Sequence, residues 1–186
     1  MARAYIGIGS NIEPEENIRK ALGFLCLHAS VKRISTVYRT PAEGRPWQPP
    51  FYNLVAEVET RAAPEELKFG ILRRIEASLG RKRTKDKSAA RTIDLDLLLY
   101  DEMVLRSGRL NIPDPQIELR AFVALPLEEL SPGLRLPGSG LPIAAIASSL
   151  DKSEMEPLKQ YTEALRKEIC DHGRGEGKTA YKGTPG

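Results

Sequence analysis

The chain has 186 residues, and 28 Lys and Arg against 25 Asp and Glu give a formal net charge of only +3. Hydrophobic residues make up 41% and charged residues 28%, which is typical of an ordinary soluble globular protein, and a charge of +3 is too small by itself to indicate nucleic-acid or membrane binding. No apolar run approaches the roughly 18 residues of a membrane span, and two distant cysteines form neither a disulfide framework nor a zinc motif. We therefore expect a cytoplasmic protein that binds no membrane.

The first hundred residues alternate between the two periodicities of strands and helices. In chain order they predict a strand at 4–8, a helix from Pro14, a strand at 32–39, a strand at 52–60, a helix from Pro64 that ends at Gly80, and a strand at 93–99. This β-α-β-β-α-β order predicts an α+β fold with a ferredoxin-like core, in which two helices cover one face of an antiparallel sheet.

The remainder predicts additional C-terminal strands and helices. We expect extra strand or hairpin at 97–105 and 110–112, a short helix at 118–130 kinked near Pro126, a helical turn at 141–150 and a surface helix at 154–170. Residues 1–150 would form one domain, residues 151–172 a helix packed on or beside it, and residues 173–186, which are rich in glycine, a flexible tail.

Two carboxylates stand at one end of the last core strand. Residues two apart in a strand point to the same face, so Asp94 and Asp96 project together while Leu95 and Leu97 point to the core. Adjacent like charges repel, and a divalent cation such as Mg²⁺, which prefers carboxylate and phosphate oxygens, would relieve that repulsion. The alternative is a pair that merely faces solvent at a strand end.

A basic segment immediately precedes this pair. Residues 81–91 carry six basic side chains against one acid, a net charge of +5, whereas the rest of the chain carries −2. Basic groups beside a carboxylate pair suit a polyphosphate, with metal on one side and guanidinium groups on the other. A solvated run of charges is the alternative, but this concentration favours a metal–polyphosphate site over a broad nucleic-acid surface.

Aromatic residues are few, so their positions are informative. Residues 40–51 contain four prolines and predict a long loop, which ends at Phe51 and is followed by Asn53; Phe122 lies much later in the chain. Two rings and an amide suit a flat heterocycle that is stacked on its faces and recognised at its edge. Ordinary core packing is the alternative for either phenylalanine.

Together these residues resemble the 6-hydroxymethyl-7,8-dihydropterin pyrophosphokinase family over residues 4–137. The resemblance is carried by YIGIGSN at 5–11, YRTP at 38–41, FYN at 51–53, RRIE at 73–76, KSAARTIDLDLL at 87–98, IP at 112–113 and RAF at 120–122. It implies transfer of the β,γ-pyrophosphoryl group of ATP to the hydroxymethyl oxygen of the pterin, with release of AMP and two Mg²⁺ ions. The expected partners are these small molecules, with no nucleic acid, and the expected state is a monomer.

The resemblance also implies roles for individual residues. Asp94 and Asp96 would hold the metal ions, Asp96 would also draw the hydroxymethyl proton, and Arg81 and Arg91 would complete the catalytic set. Residues expected to bind the nucleotide are Glu76, Arg83, Arg91, Leu97, Arg109, Asn111 and Arg120. Residues expected to bind the pterin are Thr40, Pro41, Phe51, Asn53 and Phe122. Mobile loops at 9–14, 43–50 and 81–91 would close over the nucleotide and exclude water.

The chain departs from the family pattern at three places. Ser88-Ala89-Ala90 replaces a frequent Trp-Gly-Pro, Asp114 stands where a histidine often contacts ATP, and Glu43 stands where an apolar residue often caps the pterin, with Trp47 near enough to replace that cover. Two other functions therefore stay open. One is a nucleic-acid module built on a ferredoxin-like sheet, and the other is a relative that binds ATP or pterin without catalysis.

Overall fold

A computed structural model describes residues 1–42, 44–45, 47–82 and 89–172. Its first half contains β1 (Ala2–Ser10), α1 (Pro14–Cys26), β2 (Ser30–Ile34), β3 (Tyr38–Thr40), β4 (Phe51–Thr60), a π-helix (Glu66–Leu72), α2 (Arg73–Ser78) and β5 (Asp94–Tyr100). The second half contains β6 (Leu105–Arg106), β7 (Asn111–Ile112), α3 (Gln116–Leu119), α4 (Ala121–Leu130), α5 (Ile143–Ser149), β8 (Glu156–Pro157) and α6 (Lys159–His172).

The main sheet is antiparallel and has the order β5-β1-β4-β3-β8, with β2 also paired to β4. The ferredoxin-like order of elements is confirmed, and β6 and β7 form the predicted extra hairpin. The sheet is covered on both faces, however, because α3, α4 and α5 pack on the face that the core motif leaves open. The α+β prediction is thus confirmed, with a second layer that closes the sheet.

A register shift in β5 serves both layers. Leu95 and Leu97 belong to the core that includes α1, whereas Leu98 and Leu99 belong to the second core that includes α4. Two successive leucines can face the same side because the pairing of β5 with β1 shifts between Tyr5 and Ile6. The apolar run that ends β5 therefore reflects burial on two faces.

The prediction of one continuous strand at 32–39 was wrong, because two strands, β2 and β3, occupy this region. It begins at Ser30 and is interrupted after Ile34, where the buried Ser35 hydroxyl accepts a hydrogen bond from the Val55 amide. The side chain thus replaces a backbone acceptor, and β3 starts afresh at Tyr38. The Val37 carbonyl and amide are bonded instead to the Leu158 amide and the Thr162 hydroxyl, at the start of α6.

Two later helices also differ from expectation. The predicted helix at 118–130 is α3 and α4, divided at the extended Arg120, while Pro126 lies inside α4. The predicted surface helix at 154–170 begins only at Lys159, because residues 156–157 form β8 against β3, and its Leu165 is fully buried. The predicted tail at 173–186 lies outside the described residues. No helix in the described ranges has the length and apolar character needed to cross a membrane.

Candidate active site

A cavity of about 440 Å³ opens between the end of the main sheet and the start of α4. The predicted carboxylates Asp94 and Asp96 share a face of β5 and line this cavity. In the register of the sheet, Asp94 lies beside Gly9 and Asp96 beside Gly7 on β1. Since glycine has no side chain, β1 leaves room for the cavity next to the two acids.

Basic side chains neutralise both carboxylates. Arg91 forms an ion pair with Asp94, and Nη2 of Arg81 lies 3.6 Å from Oδ1 of the same residue. Nζ of Lys68 lies 2.7 Å from Oδ1 of Asp96. The side chains of these three basic residues are 13–22% exposed, so the charges meet in a largely desolvated place where pairing is strong. The acids do not simply face solvent at a strand end.

Lys68 is the site residue that the sequence did not predict. It follows Leu67 in a segment that has the apolar period of an ordinary helix. The observed π-helix instead places Leu67 and Leu72, which are five residues apart, in the core, and the Arg73 amide bonds to the Lys68 carbonyl. Such wide turns occur often at functional sites, but residue type and spacing did not reveal this one.

The two termini of the helical segment also cover the free edge of β5. Nζ of Lys68 donates to the Leu95 carbonyl at 2.7 Å, and Oε1 of Glu76 accepts from the Leu95 amide at 2.9 Å. The residue between the two site carboxylates is therefore bonded through both of its backbone polar groups. Satisfying an edge strand in this way fixes the backbone from which Asp94 and Asp96 project.

A neutral polar group and two rings line the end of the cavity that lies across β1 from the carboxylates of β5. Asn53 is buried, and its Nδ2 donates to Oγ1 of Thr40 at 2.9 Å across the β3–β4 pair. Phe51 and Phe122 both border the same space, together with Pro41. The guanidinium of Arg91 lies 5.4 Å from the centroid of the Phe51 ring, which connects this end to the carboxylates.

Comparison with known proteins shows the family of the chain. Residues 5–132 match the family model described as 7,8-dihydro-6-hydroxymethylpterin-pyrophosphokinase (HPPK). The chain belongs to the HPPK family. It is 37% identical over 158 residues to a Synechocystis 2-amino-4-hydroxy-6-hydroxymethyldihydropteridine pyrophosphokinase, covering 83% of this chain and 80% of the relative. It is 39% identical over 159 residues to the Pseudomonas aeruginosa protein of the same name, covering 83% and 97%.

A solved HPPK structure shows the same fold. A Plasmodium falciparum HPPK-DHPS crystal structure with pterin and p-hydroxybenzoate superimposes with a TM-score of 0.63 at 12% identity. The match covers 80% of this chain and 41% of that longer chain. At this identity the likeness supports the α+β architecture and carries no residue roles.

The cavity collects most of the residues expected from the HPPK resemblance, but not all of them. Asp94, Asp96, Arg91, Arg120 and the five residues expected to bind pterin line it. Glu76 is 2% exposed and covers the β5 edge, and Leu97 points into the core. Arg109 lies over the Phe69 ring at 5.0 Å, and Asn111 belongs to β7. Arg81 lies beside Asp94 but not in the cavity lining, and Arg83 lies outside the described residues.

Asn11 is a second residue whose importance emerges only in three dimensions. Its Oδ1 accepts from the Arg91 amide at 2.7 Å, and its Nδ2 donates to the Pro49 carbonyl at 3.1 Å. The side chain is 1% exposed. It therefore joins the turn after β1 to the proline-rich loop and to the residue that pairs with Asp94, linking three segments for which loop closure was expected.

Asp114 explains how this HPPK tolerates an acid near the expected nucleotide site. Its amide donates to the Leu98 carbonyl, and its Oδ1 accepts from the Gln116 amide at 2.8 Å, at the start of α3. Burial raises the pKa of the Asp114 carboxyl, and the charge of Asp96 adds to that rise, while the Gln116 amide and Lys68 oppose it. The carboxylate is thus engaged by the backbone of its own segment.

The other two departures from the HPPK pattern have different outcomes. Glu43 and Ser88 lie outside the described residues. Trp47, suggested as a replacement cover for the pterin, is 76% exposed and does not line the cavity.

Proposed function

We propose that this chain transfers the pyrophosphoryl group of ATP to the hydroxymethyl group of 6-hydroxymethyl-7,8-dihydropterin and releases AMP. Family membership supports this reaction, since the relatives that the chain matches over most of their length are named as the corresponding pyrophosphokinase. The observation that carries the proposal is one cavity with a neutral aromatic end and a charged end. Those two ends match a flat heterocycle and a polyphosphate.

The neutral end would bind the pterin. Phe51 and Phe122 offer ring faces for stacking, and the Asn53 amide can recognise the polar edge of a heterocycle. The hydrogen bond from Asn53 to Thr40 fixes the orientation of this amide before any ligand binds. Such prior ordering reduces the entropy lost on binding.

The charged end would bind the metal and the phosphates. Among the described residues no cluster of three or more His, Cys, Asp or Glu side chains occurs, so Asp94 and Asp96 alone would leave several metal positions to other oxygens. That donor set fits Mg²⁺, which typically takes one or two carboxylates together with substrate phosphates and water. When bound at these two residues, two Mg²⁺ ions would neutralise charge on the phosphates.

Arginine side chains would hold the phosphates at the same end. Nε and Nη1 of Arg81 are buried and have no hydrogen-bond partner within the described part of the chain. Buried donors without partners are costly, so these two atoms are suited to an anionic ligand. Arg91 lies between Asp94 and Phe51, at the junction of the two ends, and Arg120 borders the cavity from the start of α4.

We propose one chemical step at the charged end. The hydroxymethyl oxygen attacks the β-phosphorus of ATP, the bond from that phosphorus to the bridging oxygen of the α-phosphate breaks, and AMP leaves. Asp96 accepts the hydroxymethyl proton as the new oxygen–phosphorus bond forms. Positioning contributes most of the rate, because phosphoryl-type transfer needs alignment and charge stabilisation more than a strong base.

The cavity also favours this enzyme over an RNA-binding module. Ferredoxin-like RNA binders use an exposed sheet face, whereas α3, α4 and α5 cover the second face here. We further propose that the active protein is a monomer, and that it works in the reducing cytoplasm, because its two distant cysteines form no disulfide framework.

The test is to incubate the protein with ATP, Mg²⁺ and 6-hydroxymethyl-7,8-dihydropterin and to follow the nucleotide products. We expect AMP in equal amount to the pyrophosphorylated pterin, and no AMP when either the pterin or Mg²⁺ is omitted. Release of ADP would contradict the proposed reaction. Tight ATP binding without any turnover would identify the chain as a non-catalytic relative.

A further inference from the structure

The π-helix holds Lys68 against Asp96, beside the cavity but not in its lining. Its ammonium contacts Oδ1 of Asp96 and the Leu95 carbonyl, each at 2.7 Å. The side chain is 14% exposed, so this ammonium is far better shielded than the surface lysines of the chain. A charge held in this way is fixed by two partners and has little freedom to move with the solvent.

The two partners have different consequences. The bond to Asp96 neutralises the carboxylate and engages one of its oxygens, while the residue still lines the cavity. The bond to Leu95 ties the same ammonium to the backbone of β5, so the carboxylate is held relative to its own strand. Glu76 accepts a hydrogen bond from the Leu95 amide, which holds the backbone of β5 in place at the same residue.

We propose that Lys68 is a positioning residue that sets the Asp96 carboxylate for metal binding in the pyrophosphoryl transfer. This inference rests on the proposed function. Groups that orient a metal ligand through a hydrogen bond raise metal affinity without touching the metal themselves. Lys68 meets that description, since it contacts the ligand residue and the adjacent backbone.

The contacts favour positioning over two other roles. If Lys68 were a competitor for the metal, its removal would free Asp96 and raise metal affinity. If it bound phosphate directly, its removal would weaken nucleotide binding even without metal. The Leu95 carbonyl also holds the ammonium, so Lys68 keeps a hydrogen-bond partner when a metal binds Asp96. Its contacts are therefore satisfied without competing with the metal and without moving to a phosphate.

The test measures metal binding separately from turnover. We would titrate Mn²⁺ by electron paramagnetic resonance in the presence of a non-hydrolysable ATP analogue, comparing the wild type with Lys68→Met and Lys68→Arg. Lys68→Met keeps the alkyl stem and removes the donor, and we expect it to weaken Mn²⁺ binding by about 10- to 100-fold. Metal-free binding of the analogue should be unchanged, and Lys68→Arg should restore part of the metal affinity.

Lys32→Met is the matched control. Nζ of Lys32 lies 2.8 Å from Glu59 on the same sheet, but this pair is exposed and Glu59, unlike Asp96, does not line the cavity. Its loss should leave Mn²⁺ binding unchanged. If far-UV circular dichroism shows that Lys68→Met does not fold, Lys68→Leu gives the same comparison, because leucine also lacks a donor.

Three results would overturn the inference. They are unchanged or tighter Mn²⁺ binding by Lys68→Met, an equal loss of metal-free analogue binding, and no recovery in Lys68→Arg. The proposed function fails separately, if the wild type binds Mn²⁺ with the analogue but releases no AMP from ATP and pterin. In that case the Mn²⁺ titrations still decide the role of Lys68.

Discussion

The two ends of the cavity are held by different kinds of interaction. At the neutral end, Asn53 and Thr40 come from paired strands, so the register of the sheet alone brings them together. At the charged end, Lys68, Arg81 and Arg91 reach Asp94 and Asp96 from separate segments. The neutral end is therefore complete without a ligand, whereas the charged end holds cations whose carboxylate partners a bound metal must share.

This difference predicts two kinds of mutational effect. Changes at the charged end should act mainly on turnover, because the charges there stabilise the transferring phosphates. Changes at the neutral end should act mainly on pterin affinity, because they disturb a surface that is already formed. Measuring kcat and KM for both substrates separates the two.

Asp96→Ala should have the largest effect. It removes a proposed metal ligand, the proposed proton acceptor and the partner of Lys68 together. We expect turnover to fall by about 10³-fold or more, since several kcal/mol of charge stabilisation would be lost. The rate of AMP release measures this, with Asp151→Ala, in an exposed loop, as the control. Near-normal turnover of a folded Asp96→Ala would refute the metal assignment.

Arg91→Ala should have the next largest effect, because Arg91 connects the two ends. It pairs with Asp94 and lies over Phe51, so its loss should lower kcat by about 10²-fold and also raise the KM for pterin. Arg91→Lys keeps the charge but loses the planar group, and should recover kcat more than pterin KM. Equal recovery of both constants would show that the contact with Phe51 contributes nothing to binding.

Gly9→Ala should act mainly at the neutral end, because Asn53, and not the neighbouring Asp94, is the residue within 4 Å of an added Cβ. A Cβ atom at this position would lie 2.8 Å from Oδ1 of Asn53, so the amide would have to move and lose its alignment with Thr40. We expect the KM for pterin to rise about tenfold with kcat and nucleotide binding little changed.

The control for Gly9→Ala is Gly23→Ala. Apart from its own helix backbone and chain neighbours, no described atom lies within 4 Å of a Cβ built at Gly23 in α1, and this variant should stabilise the fold by about 0.5–1 kcal/mol without changing either KM. If Gly9→Ala lowered kcat and left the KM for pterin unchanged, the neutral end would act on turnover and not on pterin affinity, which would contradict the proposed difference between the two ends.

Local sequence patterns predicted the core fold because strand alternation and helix period reflect burial directly. They failed where one side chain or a distant segment changes the backbone. Ser35 ends β2 because its hydroxyl substitutes for a backbone acceptor. Arg120 is extended and divides the single helix predicted at 118–130 into α3 and α4. The pairing of β8 with β3 joins residues more than a hundred positions apart, which no local pattern contains.

The candidate site divides in the same way. Asp94 and Asp96 were predictable because a period of two puts them on one face of a strand. Lys68 was not, because its position depends on a π-turn and on packing of that turn against the β5 edge. Asn11 reads as an ordinary turn residue in the sequence, although its side chain joins two other loops in the structure.

Asp114→Asn should have the smallest effect and tests how much negative charge the charged end tolerates. The raised pKa means that the folded protein binds the Asp114 proton more tightly than the unfolded chain does. The ionised carboxylate therefore destabilises the fold at pH 7, and this cost disappears as the pH falls through the folded pKa towards the ordinary value of 3.8. Asparagine retains the Oδ1 acceptor for the Gln116 amide, so the change removes charge while preserving that bond.

We expect Asp114→Asn to unfold at higher urea concentration at pH 7, with a gain below about 1 kcal/mol because solvent screens a partly exposed group. The gain should shrink when the measurement is repeated near pH 4, where wild-type Asp114 takes up its proton. A variant that is less stable at pH 7 would mean that the negative charge at the start of α3 outweighs the cost of burial. The favourable interaction of Asp114 with the start of α3 would then affect stability more than its repulsion by Asp96.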